Sequence, residues 1–371
     1  MTRNLPDHHR LLLNALNNPA SVVEYKIPDW ELLLRLVRRV KLLGFLAAEL
    51  ERRDLLDKIP VRAANQLRSG LIRAKKLQQL AHWELNRIAS ALKDTPVPMI
   101  VLKGAAYALA KLPSAEGRYF VDLDIMVPKE SLDQVEALLL KKGWRHRDIS
   151  AYDERYYRAW SHEIPALIHR ERETEIDIHH TIAPVTSRVK IDTRLLFDDA
   201  MTPSHTDYKI LCPVDMVLHC AVNLFQNNEL ADDLRDLLDL HGSLAVFGNE
   251  DPGFWRKLIE RANQLCLGKP LFYGIQFSRL VFQTPVPGNV ENELNEKPSI
   301  FSRSIMHFLV PPALFPLHPD KPSKYARLAR LLLYLRSHWI RMPLHLLLPH
   351  LTYKCYLMVV PGKTVAKELG K

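Results

Sequence analysis

The chain predicts an α+β fold, with a small mixed sheet flanked by N-terminal and C-terminal helical lobes. Three observations lead there. The middle of the chain carries short apolar runs with alternating acids, Val121-Asp122-Leu123-Asp124-Ile125 and Glu175-Ile176-Asp177-Ile178-His179, which is the two-residue period of strands. Stretches on either side, such as 32–50 and 328–335, repeat leucine at three- and four-residue steps, as helices do. Only 13 glycines occur in 371 residues, too few for a glycine-rich β protein. That length can bury a substantial core and fill two or three lobes. The expected division is a helical region over 1–92, a sheet-bearing core over 93–185, a helical lobe over 186–290, and a basic, leucine-rich helical region over 291–371.

Composition narrows the class but not the ligand. At 47% hydrophobic and 25% charged, the chain reads as an ordinary soluble protein. A net charge of +9 fits a polyanionic partner such as a nucleotide, nucleic acid or anionic membrane surface, without choosing among them. The four cysteines, Cys212, Cys220, Cys266 and Cys355, form no C-x-x-C pair and are too few for a disulfide framework, so a reduced, cytoplasmic setting is expected. The first residues lack the apolar segment of a signal peptide, and no run is long and apolar enough for a spanning helix.

Taken in order, residues 6–92 read as helical throughout. Residues 32–50 form one amphipathic helix with Arg35, Arg38, Arg39 and Lys41 outside. Residues 65–91 form another. Such arginines more often make a solvated face than a nucleic-acid surface. Pro96 and Pro98 break the helix, and 99–102 is a buried strand. Gly104 then permits a tight turn into a short helix over 105–112, whose N-terminus would aim free N–H groups at a phosphate beside Lys103. Arg118 enters a second strand that runs to Val127. Ser131 and Gln134 make a capping box for a helix that stops at Gly143. Residues 144–163 are polar and aromatic. Tyr152, Tyr156, Tyr157 and Trp160 there would stack on a base or, more commonly, pack over a sheet edge. Residues 164–169 and 173–179 pair as a hairpin. Helices return over 213–225, 230–246, 254–266 and 271–282, the second rich in Asp and Arg. From Lys321 to Lys371 there are ten Lys or Arg against one acid, Glu368. An interfacial membrane helix looks like this. So does a packed helix with a basic rim, the commoner arrangement.

On an extended strand Asp122 and Asp124 share a face about 7 Å apart. Carboxylates held so close repel each other unless a cation lies between them. Glu175, Asp177 and His179 share a face in the same way.

The set Leu102-Lys103-Gly104, then Arg118 and Asp122-Leu123-Asp124, then Glu175-Ile176-Asp177-Ile178-His179 resembles the uncharacterised nucleotidyltransferase family of the DNA-polymerase-beta-like superfamily. The resemblance is best over 83–185 and looser through the helices on both sides. In that superfamily a strand ends in Gly-Gly or Gly-Ser, the next carries Asp-x-Asp, and a later strand adds a third carboxylate. The resemblance implies transfer of NMP from an NTP to a hydroxyl acceptor, with release of pyrophosphate. The acceptor would be a small molecule, a sugar or lipid intermediate, RNA or protein. Such transfer uses a pair of Mg²⁺ (or Mn²⁺) ions roughly 3.5–4 Å apart. Asp122, Asp124 and Asp177 would be both the metal ligands and the catalytic acids. Asp177 would also draw the acceptor proton, with Glu175 its competitor for the third-carboxylate role. Lys103 and Gly104 would cradle the β- and γ-phosphates, Arg118 would neutralise the triphosphate, and His179 would orient Asp177 or touch substrate. His180, its neighbour on the strand, must face the other way.

Two features depart from the superfamily pattern. Ala105 stands where serine is usual, and Asp122 comes 18 positions after Gly104, a long interval. Both suit the uncharacterised family better than polymerases. They also leave room for a catalytically silent nucleotide- or nucleic-acid-binding module of the same fold. No G-x-S-x-G, H-E-x-x-H or P-loop motif occurs.

Overall fold

In the computed structural model, which describes residues 5–359, a six-stranded mixed sheet lies between helices from both ends of the chain, and the α+β prediction holds. Ahead of the sheet come α1 (Asp7–Asn17), α2 (Ile27–Arg39), α3 (Leu43–Arg52) and α4 (Val61–Leu92). The single helix expected over 32–50 is therefore two. Lys41 takes a left-handed φ of 56°, and the Leu42 N–H donates to the Val37 carbonyl at 2.8 Å, a Schellman-type end to α2. A lysine fills the place where glycine is usual, so the break leaves no mark in the sequence. The arginines of α2 lie outside, as expected, but two of them reach distant segments. Arg35 pairs with Asp320 at 2.9 Å and Arg39 with Asp232 at 2.8 Å.

The sheet is built from β1 (Ile100–Val101), β2 (Asp122–Met126), β3 (Trp144–His146), β4 (Leu167–His169), β5 (Glu175–His179) and β6 (Lys209–Ile210). Their order is β3-β4-β5-β2-β1-β6. At the centre β2 and β5 run parallel, while β1 is antiparallel to β2 and parallel to β6. Helices α5 (Lys103–Leu109), α6 (Leu132–Lys141) and α7 (Ala151–Trp160) fall between strands. β2 starts four residues later than expected. Gly117 turns with φ 68°, and its backbone lies so close to that of Gly44 that neither position has room for a Cβ. The predicted capping box is absent: Ser131 closes a short tight turn begun at Lys129, and its side chain makes no cap bond. Gly143, with φ 95°, ends α6 as expected. The aromatic stretch 144–163 supplies edge strand β3 and helix α7, the latter capped by Ser150, whose hydroxyl accepts from the Asp153 N–H.

Beyond the sheet lie α8 (Thr193–Asp198), α9 (Pro213–Val222), α10 (Leu234–Glu250), α11 (Phe254–Gln264), α12 (Gly268–Phe282), α13 (Ile300–Leu314), α14 (Lys324–Arg341) and α15 (Leu344–Val359). One continuous apolar core runs from Leu12 in α1 through the sheet to Leu333 in α14. Among the described residues no helix is long and apolar enough to cross a membrane. Lys363, Lys367, Glu368 and Lys371 of the basic tail lie outside the described residues.

His9 of α1 is buried against Phe315, and its Nε2 faces the Pro316 carbonyl at 3.3 Å. Burial, then the neighbouring His8, pushes its pKa down from 6.5 to about 3. The unfolded chain therefore takes up this proton before the fold does. The stability is fully present above pH 6.5 and lost as pH falls toward 3. Urea unfolding at a series of pH values should show this acid limb, worth a few kcal/mol in all. His9→Asn should flatten it.

Candidate active site

The in-register pairing of β2 with β5 assembles the acids. Asp122 lies opposite Glu175 and Asp124 opposite Asp177, so all four project from one face of two adjacent parallel strands. The register also puts His179 on that face. A cleft of about 360 Å³ opens over it, with Asp122, Glu175 and Asp177 in its wall. Of the two candidates for the third acid, Asp177 sits against Asp124, whereas Glu175 is engaged by Arg147 at 2.9 Å.

Asp124 lies behind the cleft wall and is only 5% exposed. Lys103 donates to its Oδ1 at 2.5 Å, and His179 Nε2 approaches the same oxygen at 3.0 Å. Lys103 reaches inward because its own backbone is left-handed, with φ 46°. The turn expected at Gly104 is thus made by the residue before it. Gly104 does something else: a Cβ there would collide with the Arg118 guanidinium. Arg118 itself is buried and paired with Asp239 of α10, so its charge is spent inside the protein rather than offered to the cleft. The helix after the turn, α5, is only seven residues long.

The sequence reading missed several groups that the fold brings in. Glu163, just before β4, bridges to His179, whose Nε2 lies 3.4 Å from its carboxylate. The Nε2 of His162 is 3.7 Å from the same carboxylate. Arg147 and Tyr156 line the cleft, and His350 enters from α15, its ring stacked on Tyr156 at 5.2 Å. The tyrosines were visible as an aromatic cluster. Nothing in the local sequence marks Glu163, Arg147 or His350, because each is placed by a partner distant in the chain.

Crowding of like charges sets the electrostatics. Burial, then Glu163 and Asp124, pushes Asp177 well above the ordinary carboxylate range, although Lys103 opposes this. Burial and Asp124 push Asp122 up as well. For Asp124 burial acts upward too, but Lys103 and His179 outweigh it and hold its pKa below the usual range. Lys103 mirrors this, since Asp124, Glu163 and Asp177 overcome its burial and raise it. Burial and then His179 keep His162 neutral, and burial with Lys103 takes His219 down to about 3. His180 points elsewhere and is pushed down to about 4 by burial and Lys129.

This donor set fits a hard divalent cation. Asp122, Asp124 and Asp177 offer only oxygen, the donor that Mg²⁺ and Mn²⁺ take. A cation, the Lys103 ammonium, already rests on Asp124, while the raised Asp122 and Asp177 still have like charge to offset. His162, Glu163 and His179 form a second, mixed nitrogen–oxygen group with ligand atoms within 4.8 Å of one another.

No curated protein and no solved structure matched the chain. A family model did, over residues 27–283, which takes in the acidic strands, the N-terminal helices from α2 onward, and the helices as far as α12. With that match covering well over half its length, the chain belongs to the uncharacterised nucleotidyltransferase family.

Proposed function

We propose that the protein transfers NMP from an NTP to a hydroxyl acceptor, releasing pyrophosphate. The family supplies the class of chemistry, nucleotidyl transfer. The observation that carries the finer reading is the side-by-side placement of Asp124 and Asp177, with Asp122 next to them at an open cleft. Asp122, Asp124 and Asp177 would hold Mg²⁺ or Mn²⁺, which when bound offsets the charge of the triphosphate and of the departing pyrophosphate. Asp177, with its raised pKa, is the better proton acceptor of the three and takes the proton of the attacking hydroxyl. The acceptor oxygen bonds to the α-phosphorus as the bond to the β-phosphate oxygen breaks. Lys103 and His179 keep Asp124 ionised and fixed in place. Arg147, at the cleft wall, takes the polyphosphate-neutralising role that buried Arg118 cannot. Tyr156 and Tyr157 offer flat faces to a base.

A second reading, nucleotide binding without turnover, draws on Lys103 already neutralising Asp124 and on Ala105 in the usual serine's place. Incubation with α-labelled NTPs, Mg²⁺ or Mn²⁺ and cell extract separates the two. Transfer of label by the wild type, lost in Asp122→Ala, is the expected result. Retained NTP binding with no labelled product under any acceptor would establish the second reading instead.

A further inference from the structure

The C-terminal helices leave an apolar face uncovered. Helix α13 exposes Phe301 at 75% and Phe308 at 68%. Its neighbour α14 exposes Leu328, Leu335 and Trp339, which recur at helical spacing along one side. Phe308 and Tyr325 meet edge to face at 5.7 Å, and the Tyr325 hydroxyl donates to the Phe308 carbonyl at 2.8 Å, so the two exposed stripes adjoin. Scattered exposed leucines need no explanation, but a joined stripe on two helices does.

Charge indicates what covers it. Neither α13 nor α14 contains an Asp or Glu. Arg330 is taken up by Asp232, and Arg336 is turned inward over the Tyr273 ring and donates to the Phe225 carbonyl, so neither serves the outer face. Lys324 and Arg327 are exposed, with no carboxylate partner among the described residues. A second copy seated on this face by two-fold symmetry would bring these cations toward their own kind. An anionic lipid surface instead accepts the apolar stripe among its acyl chains and pairs the cations with its headgroups. Trp339 and Tyr325 are residue types that favour that boundary.

We propose that α13 and α14 dock the protein onto an anionic membrane surface, lying in the interface rather than crossing it. This stands apart from the transferase reading and survives its failure.

The test is flotation of the full chain with phosphatidylcholine vesicles, with and without phosphatidylglycerol, at low and high salt. Binding is expected to the phosphatidylglycerol vesicles, weakened by salt. Lys324→Gln with Arg327→Gln should weaken it about thirtyfold. Phe301→Ser with Phe308→Ser should abolish it. Both pairs are surface changes, and unaltered thermal melting would confirm that the variants remain folded. Absence of binding to anionic vesicles at low salt would overturn the proposal, as would equal binding by the folded phenylalanine variant. A concentration-dependent dimer that the serine substitutions abolish would overturn it in favour of self-association.

Discussion

Asp177→Asn is expected to cost on the order of 10³-fold in nucleotidyl transfer while making the ion-free protein more stable. The two effects share one cause. Asp177 lies opposite Asp124 on β5, half-buried in the cleft wall, with Glu163 nearby and Asp122 beyond. That crowding suits it to a cation and a proton and makes its ionised form costly when no ion is bound. Asparagine keeps the shape and removes the charge. The fold holds the Asp177 proton more tightly than the unfolded chain, whose carboxylate titrates near 3.8. This stabilising contribution is complete below that pH and is lost as pH rises through the folded value. The advantage of the Asn variant is therefore absent in acid and grows toward neutrality. Chemical denaturation in chelator, followed across pH, measures it, and Mn²⁺ should stabilise the wild type more than the variant. A variant less stable than wild type at neutral pH would show that Asp177 is held by partners rather than repelled by them.

Arg118→Ala should destabilise the fold by about 3–5 kcal/mol, the usual cost of breaking a buried ion pair from one side. The guanidinium and Asp239 are both buried, with 6% and 1% of their side chains exposed, so the variant leaves a carboxylate with no water to solvate it. The pair ties the approach to β2 to α10, and Gly104 must lack a side chain to admit it. Replacing both partners together, Arg118→Leu with Asp239→Leu, should recover much of the loss because no charge is left stranded. Urea unfolding of the three variants tests this. If Arg118 were a triphosphate ligand, Arg118→Ala would fold normally and lose NTP affinity alone. That result would return the residue to the role its position in the sequence suggested.

Arg118 shows where reading the sequence reaches its limit. An arginine before an Asp-x-Asp strand has the right chemistry for a triphosphate, and nothing local reveals that Asp239, 121 residues later, has claimed it. Lys103 and Gly104 read correctly as a turn, but Lys103 carries the positive φ, and Gly104 is needed for the space Arg118 takes up. The break between α2 and α3 was invisible for a similar reason, since a lysine holds a conformation that composition assigns to glycine. The acids were legible because the two-residue period of a strand is a local property: it puts Asp122 with Asp124 on one face of β2, and Asp177 with His179 on one face of β5, while the register between the strands makes those two faces one.

The sequence by itself determined the class of fold, the strands that carry the acids, and which acids of one strand share a face, because alternation and helical periodicity are set by neighbours along the chain. Only the tertiary structure decided that Asp124 sits opposite Asp177, that Glu163, Arg147 and His350 join them at the cleft, and that Arg118 does not. Those outcomes depend on strand register and on burial between segments far apart in sequence, and residue spacing carries no record of either.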